Sequence, residues 1–404
     1  MDAEFAEKAV RFVAGYVKSL GLLADPREVV YPLMASRFGH MLGETFMLDR
    51  LFDQSNKVLL SHAAVRQVSP DAFDALTRNC RIVWVDRLPS PTEVVRLLHE
   101  FSIAALPAAY VDNSGARLIC PHNGERMLDL FYPARREGRA FPPLTVGDLP
   151  PALIELGEQV SRRINPARRP VAILHARDGR SLPLQAHNAY RDTSIENYVP
   201  MIRMLMNEGW LVIRIGDRNM PPVSIPSGEL FHDATRADFP ELYFVATDDF
   251  VIHCQSGQTD YTLVFDKPGL CVNSPVAFAA RPDPRSLWAF KTYRRCGKAM
   301  SLSEIIESGA GEFFRTEQFA ERGITLEENR PEMLVEAARE FLDLLANGGL
   351  AAPAVDEKTR QADRLLQAAK ARAGLPVYMR VTDFEGNRAR LAKSFIAHDP
   401  EFLP

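Results

Sequence analysis

Short apolar runs alternate with amphipathic stretches along most of the chain, the pattern of βα repeats and parallel sheets. Residues 28–36 read as a strand, and Met41, Leu42, Met47, Leu48, Leu51 and Phe52 give 40–53 the period of a helix. A strand at 57–61, a helix at 71–78, a strand at 81–85 and a helix at 92–100 follow, the last opened by Ser90-Pro91-Thr92. The texture then changes: Pro133, Pro142, Pro143, Pro150, Pro151, Pro166 and Pro170 crowd together with Arg135, Arg136, Arg162, Arg163, Arg168 and Arg169, interrupted by a helix at 151–164. Stretches of this kind cannot continue a sheet and mark a linker. A second βα series begins at Val171, with strands at 171–175, 210–215, 250–254 and 269–273 and helices at 195–208, 257–265 and 332–346. Asn329 and Pro331 signal the start of the last of these.

Composition narrows the class. With 404 residues the chain is too long for one core and has room for two or three domains. Its 46% hydrophobic and 25% charged residues exclude a disordered or collagen-like chain. A net charge of −4, with acids and bases interleaved, shows no footprint for nucleic acid. No apolar run has the length of a membrane span, which leaves peripheral attachment as the membrane association to expect, and the first twenty residues lack the apolar core of a signal peptide. Five scattered cysteines form neither a C-x-x-C pair nor a disulfide framework. The expected setting is a reducing cytoplasm.

Three strand ends in the second half carry candidate chemistry. The first is His175-Ala176-Arg177-Asp178, followed by Tyr190-Arg191-Asp192-Thr193. Two arginines there can clamp a diphosphate, because the guanidinium fork matches phosphate oxygens; an exposed loop with structural ion pairs is the alternative. The second is Arg214-Ile215-Gly216-Asp217, where Gly216 admits a close ligand and Asp217 can accept from a ribose or base, or where Gly-Asp makes a tight turn. The third is the strand that follows Asp248-Asp249 and ends in Gln255-Ser256-Gly257, a hydroxyl and glycine opening a helix as an anion site or as an ordinary N-cap. In the first half, Gly39 and Gly43 do not complete G-x-G-x-x-G, while His40 and Glu44 stand at i and i+4 as a candidate base pair or as structural residues. His122 falls in an expected turn. No D-x-D, H-E-x-x-H, cysteine cluster or G-x-S-x-G is present, so no metal site and no serine-hydrolase elbow is expected.

Taken in order and spacing, Phe38–Glu44, His175-x-Arg177-Asp178, Tyr190–Tyr198, Gly209–Asp217, Gln255-Ser256-Gly257 and Gly323–Pro331 resemble a family of bacterial glycosyltransferase-like proteins with a GT-B-type fold. The resemblance spans most of residues 30–345, and Ala389–Pro404 looks like the family's tail. It implies an α/β, GT-B-like molecule with two Rossmann-like domains facing a central cleft. Residues 1–150 would form the acceptor domain, 151–169 the linker, 170–350 the nucleotide-sugar donor domain, and 351–404 a tail packing back on the first domain. More distantly, His175-x-Arg177 with Ser256-Gly257 is similar to fucosyltransferases that use GDP-fucose and an H-x-R motif, although Asp178 stands where those enzymes often carry a second basic residue. By that likeness Arg177 and Ser256 would hold the diphosphate and Asp217 or Asp249 would lie near the nucleoside. The donor-binding set is then His175, Arg177, Arg191, Arg214, Gly216, Asp217, Asp249, Ser256 and Gly257, and the catalytic set Arg177, Glu44 and His40. The implied reaction is metal-independent transfer, inverting rather than retaining, from a nucleotide-diphosphate sugar to a glycan or other hydroxyl acceptor, with no further cofactor and a place in bacterial surface polysaccharide synthesis. A nucleotide-sugar epimerase or hydrolase on the same scaffold, and a non-catalytic nucleotide-sugar-binding protein, are the alternatives.

Overall fold

A computed structural model describes residues 14–15, 17–32, 38–61, 69–84, 109–111, 117–119, 124–179, 183–236, 239–275, 283–352, 355–370 and 383–404. The helix expected at 92–100 and the turn expected at His122 lie outside them. The chain divides into two compact units that meet in sequence between Pro143 and Leu144. Each is built on a mainly parallel sheet, so the α/β class expected from the βα pattern is what the chain adopts.

In the first unit, β1 (Glu28–Pro32), β2 (Asn56–Ser61) and β3 (Arg81–Trp84) run parallel in the order β3-β2-β1. Beyond β1 the sheet continues with β5 (Arg117–Ile119), parallel to β1, and β4 (Ala109–Val111), antiparallel to β5. Ala14, Val17 and Leu22 pack on Val30, Val58 and Leu60. The helix expected over 40–53 is two pieces, a π-helical turn His40–Glu44 and an α-helix Thr45–Leu51.

The second unit starts earlier than the expected boundary. Its helix Pro151–Ile164 was placed in a linker, yet it packs on the helix Glu241–Thr247, with Gly157 so close to the Tyr243 ring that no side chain would fit there. The proline-rich texture therefore marks the two ends of a docked helix rather than a free spacer. The unit's main strands are β6 (Val171–His175), β7 (Leu211–Arg214), β8 (Phe231–Asp233), β9 (Phe250–His253), β10 (Gly269–Ser274), β11 (Ser286–Phe290) and β15 (Arg390–Leu391). All are parallel, in the order β15-β11-β10-β9-β6-β7-β8. Residues of β6, β7, β9, β10 and β11 are buried throughout, which is why these strands read as unbroken apolar runs instead of alternating ones. The helix Pro331–Ala346 turns Met333, Leu334, Ala337, Ala338 and Phe341 inward, and the Phe341 ring lies 5.1 Å from Phe250. A small antiparallel sheet of β12 (Thr292–Arg295), β13 (Lys298–Ala299) and β14 (Ile324–Glu327) follows β11. Its hairpin turns at Cys296-Gly297, both at positive φ, as a two-residue primed turn requires.

The described part of the tail does not join the first unit as expected. Residues 383–404 belong to the second unit. Leu287 and Trp288 of β11 pair with Arg390 and Leu391, which form the edge strand β15, followed by a helix Lys393–His398. Without β15 the backbone of β11 would be an open edge, and the tail closes it. Phe384 meets Trp288 edge-on at 6.1 Å, and Phe402 stacks on Phe290 at 5.7 Å. The Glu340 carboxylate accepts from the amides of Lys393 and Ser394 and anchors the last helix. The helix Glu357–Lys370 buries Ala362, Leu366 and Ala369.

Candidate functional site

Counted from β6, the second unit's strands lie in the order 3-2-1-4-5-6, with β15 added at one edge. Chain connections leave β6 toward β7 and β8 on one side and return to β9, β10 and β11 on the other, so the order reverses between β6 and β9. Strand ends diverge at such a reversal, and the crevice beyond the carboxyl ends is where open α/β sheets take their ligands. His175 of β6 and His253 of β9 are register partners at that point. Everything after them, Ala176–Gly179 on one strand and Cys254–Gly257 on the other, lies at the lip of the crevice.

Arg177 is 4% exposed. Its Nη1 donates to the Asn188 carbonyl at 3.3 Å and pairs with the Asp192 carboxylate. Its backbone N–H points to Cys254 Sγ at 3.2 Å, tying the β6 loop to the β9 loop. The Asp192 carboxylate lies directly over the Cα of Gly179, where any Cβ would collide with it. The run Arg177-Asp178-Gly179 therefore needs its glycine for the ion pair two turns of chain away.

Ser256 Oγ lies 3.2 Å from His175 Nδ1 and 3.2 Å from Gln258 Oε1, and both Ser256 and His175 are buried. Burial, and then the charges of His253, Arg177 and Arg214, push the His175 pKa down to about 3, so the ring is neutral at any ordinary pH. A neutral ring can hold the serine hydroxyl without adding charge. The helix expected at 257–265 is a single 3-10 turn, Gly257–Thr259, followed by a short helix, Asp260–Val264. So short a helix has little dipole to offer an anion; what Ser256-Gly257 contributes is a hydroxyl.

Two further cations complete this lip. Arg191 is half-buried, 5.6 Å above the Tyr190 ring, and its Nε is buried with no hydrogen-bond partner among the described residues. Lys291 follows β11 at the same edge and is 3% exposed. Its Nζ donates to the Asp192 carbonyl. Burial pushes the Lys291 pKa down, opposed by the Glu328 carboxylate. The convergence shows at Cys254: burial raises its thiol, while the Arg177 amide and then the charges of Arg177, Lys291 and Arg191 pull it back down. Lys291 was missed by sequence reasoning because β11 went unread, although a lysine directly after the apolar run Ser286–Phe290 is a readable signal.

Behind the lip a buried polar network sets the 190s loop. Asn273, at the end of β10 with φ +55°, donates to Thr193 Oγ1 at 3.1 Å and to Tyr198 Oη at 3.0 Å, and exchanges backbone-to-side-chain bonds with Asn329 at 2.7 and 2.6 Å. The Glu328 carboxylate accepts from Thr193, Ser194 and Asn197. Burying this many polar groups is tolerable only because each finds a partner.

The other expected site residues fall in different places. Gly216 is at the lip with φ +143° and its Cα packed on Met220, so only glycine suits the position. Asp217 is exposed beyond β7, and its carboxylate accepts from the Asn219 amide at 2.7 Å, as a turn residue does. Arg214 is fully buried; it donates to Asp233 at 3.1 Å and the Pro221 carbonyl at 2.9 Å, an internal pair that supports the lip from beneath. Asp249 does not belong to the site. It precedes β9, at the opposite edge of the sheet, where it accepts from the Val171 amide at 2.8 Å. A residue before a parallel strand lies a full strand length from the carboxyl ends. Glu44 is in the first unit, 2% exposed, and accepts a hydrogen bond from Tyr31 Oη; burial and the carboxylate together raise the Tyr31 pKa well above its ordinary value. That engagement fits the structural alternative for Glu44. His40 is the first residue of the π-helical turn that Glu44 closes. Among the described residues no group of three or more His, Cys, Asp or Glu side chains converges to hold a metal, and no helix is long and apolar enough to cross a membrane.

No protein-family model matches the chain, and no curated protein does. Among solved structures, a glycosyl transferase family 9 protein from Veillonella parvula aligns at TM-score 0.43 and 10% identity, over 80% of this chain and 98% of that one. The Escherichia coli heptosyltransferase WaaC with ADP aligns at TM-score 0.31 and 14% identity, over 65% and 93%. The same enzyme with ADP-2-deoxy-2-fluoro heptose aligns at TM-score 0.30 and 15% identity, over 73% and 99%. None of the three is a fucosyltransferase. Folds of this kind host many chemistries, so function is read from the residues at the lip.

Proposed function

We propose that the chain is a glycosyltransferase that moves a sugar from a nucleotide-diphosphate donor to an acceptor hydroxyl, without a metal. The observation that carries this is the meeting of Arg177, Arg191, Lys291 and Ser256 beyond the carboxyl ends of β6, β9 and β11. Transfer requires that the departing diphosphate be stabilised while the anomeric carbon becomes cationic. Fixed cations in a site of low water content do this without reorganising at the moment of reaction. Arg177 would take the leaving oxygens, Arg191 would complete the clamp, and Ser256, held by neutral His175, would donate to a phosphate oxygen. Gly216 would let the donor approach the backbone of the β7 loop. For an inverting course the acceptor hydroxyl must lose its proton to a base.

The test is incubation of the full chain with a panel of nucleotide sugars, with and without glycan acceptors, in EDTA. Acceptor-dependent release of nucleoside diphosphate with retention of rate in EDTA is the expected result. Turnover without acceptor would assign an epimerase or hydrolase, binding without turnover a nucleotide-sugar-binding protein, and loss of rate restored by a divalent ion would overturn the metal-free account.

A further inference from the structure

A buried lysine is costly, and one that keeps its charge needs a reason to be where it is. Lys291 was given no phosphate oxygen to hold above; it is 3% exposed and its ammonium donates to a main-chain oxygen. That oxygen is the carbonyl of Asp192, whose carboxylate faces the Arg177 guanidinium. The loop is also gripped one residue on, where Thr193 bonds to Asn273 and Glu328 and its amide donates to the Arg177 carbonyl at 2.9 Å. Asp192 is thus fixed through its carbonyl on one side and its neighbour on the other, and its side chain lies across Gly179 against Arg177.

We infer that Lys291 is a positioning residue of the diphosphate site: by holding the Asp192 carbonyl it sets the Asp192 carboxylate against Arg177 and so fixes the orientation of that guanidinium. This rests on the reading of the lip as a diphosphate site. It places directly after β11 a residue that acts on a ligand it does not touch, through one backbone oxygen and one ion pair. A guanidinium binds a phosphate well only when its fork is aimed, so losing the aim costs affinity without removing the charge.

The test measures binding of inorganic pyrophosphate, and of ADP, GDP and UDP, to the full chain by calorimetry. The variants are Lys291→Met, Lys291→Gln and Asp192→Ala, with each Lys291 variant also combined with Asp192→Ala. The expected result is about tenfold weaker binding on losing Lys291 in the wild-type background and no further loss on losing it once Asp192 is alanine, the coupling expected of residues in one network. A general structural role for Lys291 would weaken binding equally in both backgrounds and would overturn the inference. So would wild-type affinity in the Lys291 variants, or failure of both to fold, which would assign the lysine to the core. If wild-type protein binds none of the four probes, the diphosphate reading falls and this inference with it; if wild-type binds and only the coupling is missing, the inference alone fails.

Discussion

At the amino edge of the seven-stranded sheet, Asp248 and Lys267 form a buried pair at 3.1 Å, and the same lysine caps the carbonyls of Ala246 and Asp248 at 3.0 and 2.7 Å. Beside it Asp249 closes the first amide of β6. At the carboxyl edge Arg177, Arg191 and Lys291 lie close enough together for all three to act on one thiol, and the side chains around them are loop residues. Both edges bury charge. At the amino edge each charge is matched to the backbone or to a neighbour beside it in sequence or across one strand pair, and the arrangement serves the sheet. At the carboxyl edge the cations are gathered from the segments after β6 and after β11, which are far apart in sequence, and their common feature is the crevice they border. Buried charge by itself therefore says little about function; which edge it occupies says more.

Four measurements would break or sharpen that contrast. The largest effect is expected from removing everything after Asn347. This strips β15 from β11, the strand that carries Lys291, and exposes Trp288 and Phe290, each buried side chain contributing roughly 1.5–3 kcal/mol. The truncated chain should be insoluble or should melt far below the parent; an unchanged melting temperature would show that the edge strand does not support the lip.

Next comes the paired comparison of Arg177→Ala with Asp249→Ala. A charge-assisted bond to the leaving group is worth roughly 1.5–3 kcal/mol, so the first should lose about ten- to two-hundredfold in turnover. The second should keep its turnover and lose only about 0.5–1.5 kcal/mol of stability, the net value of one hydrogen bond. Equal losses of turnover would erase the distinction between the edges.

The third measurement is pH-dependent stability, for which the two edges have opposite signs. His175 has its folded pKa depressed to about 3 from 6.5, so the unfolded chain binds the proton more readily between those values. Its contribution is present above pH 6.5 and is lost as pH falls toward 3. Asp248 has its pKa raised from 3.8 to about 8 by burial, against the pull of Lys267, so the folded chain binds the proton more readily. Its contribution is present below pH 3.8 and is lost as pH rises toward 8. Each proton contributes a slope of at most about 1.4 kcal/mol per pH unit. Urea unfolding across pH 4–8 should show the slope of stability against pH becoming less positive than the parent's below pH 6.5 in His175→Gln and less negative than the parent's across the range in Asp248→Asn; slopes identical to the parent's in either variant would remove that residue from the account.

The smallest effect is expected from Asp217→Ala. Its carboxylate serves one exposed turn amide, so stability should fall by less than about 1 kcal/mol, as read by urea unfolding. A loss of nucleoside diphosphate binding greater than tenfold would return Asp217 to the site.

What could be read from the chain alone follows the strength of local signals. The helix Pro151–Ile164 and the strand Val171–His175 match expectation residue for residue, because a proline start and an unbroken apolar run depend on near neighbours only. His175, Arg177 and Ser256 were legible as strand-end chemistry for the same reason. The polar residues immediately after an apolar run sit at one end of a strand whatever the strand's neighbours are. Asp249 was assigned to the nucleoside by the fucosyltransferase likeness, although it precedes its strand and so stands at the amino edge of a parallel sheet.

The rest was decided by tertiary structure. Strand order placed β6 beside β9 and made a crevice of two loops some eighty residues apart. The open edge of β11 drew in Arg390–Leu391, a pair too short to declare itself a strand, since two residues have no periodicity and acquire their conformation from the ladder they complete. Lys291, Asp192 and Gly179 became a unit only through that packing, because an ion pair over a glycine and a bond to a carbonyl leave no trace in spacing along the chain. The sequence by itself determined the alternating class, most element positions and which strand ends hold polar chemistry, all properties of short-range pattern. Which of those ends face one another was settled by the burial of apolar surface on both sides of the sheet, a long-range term that no local pattern contains.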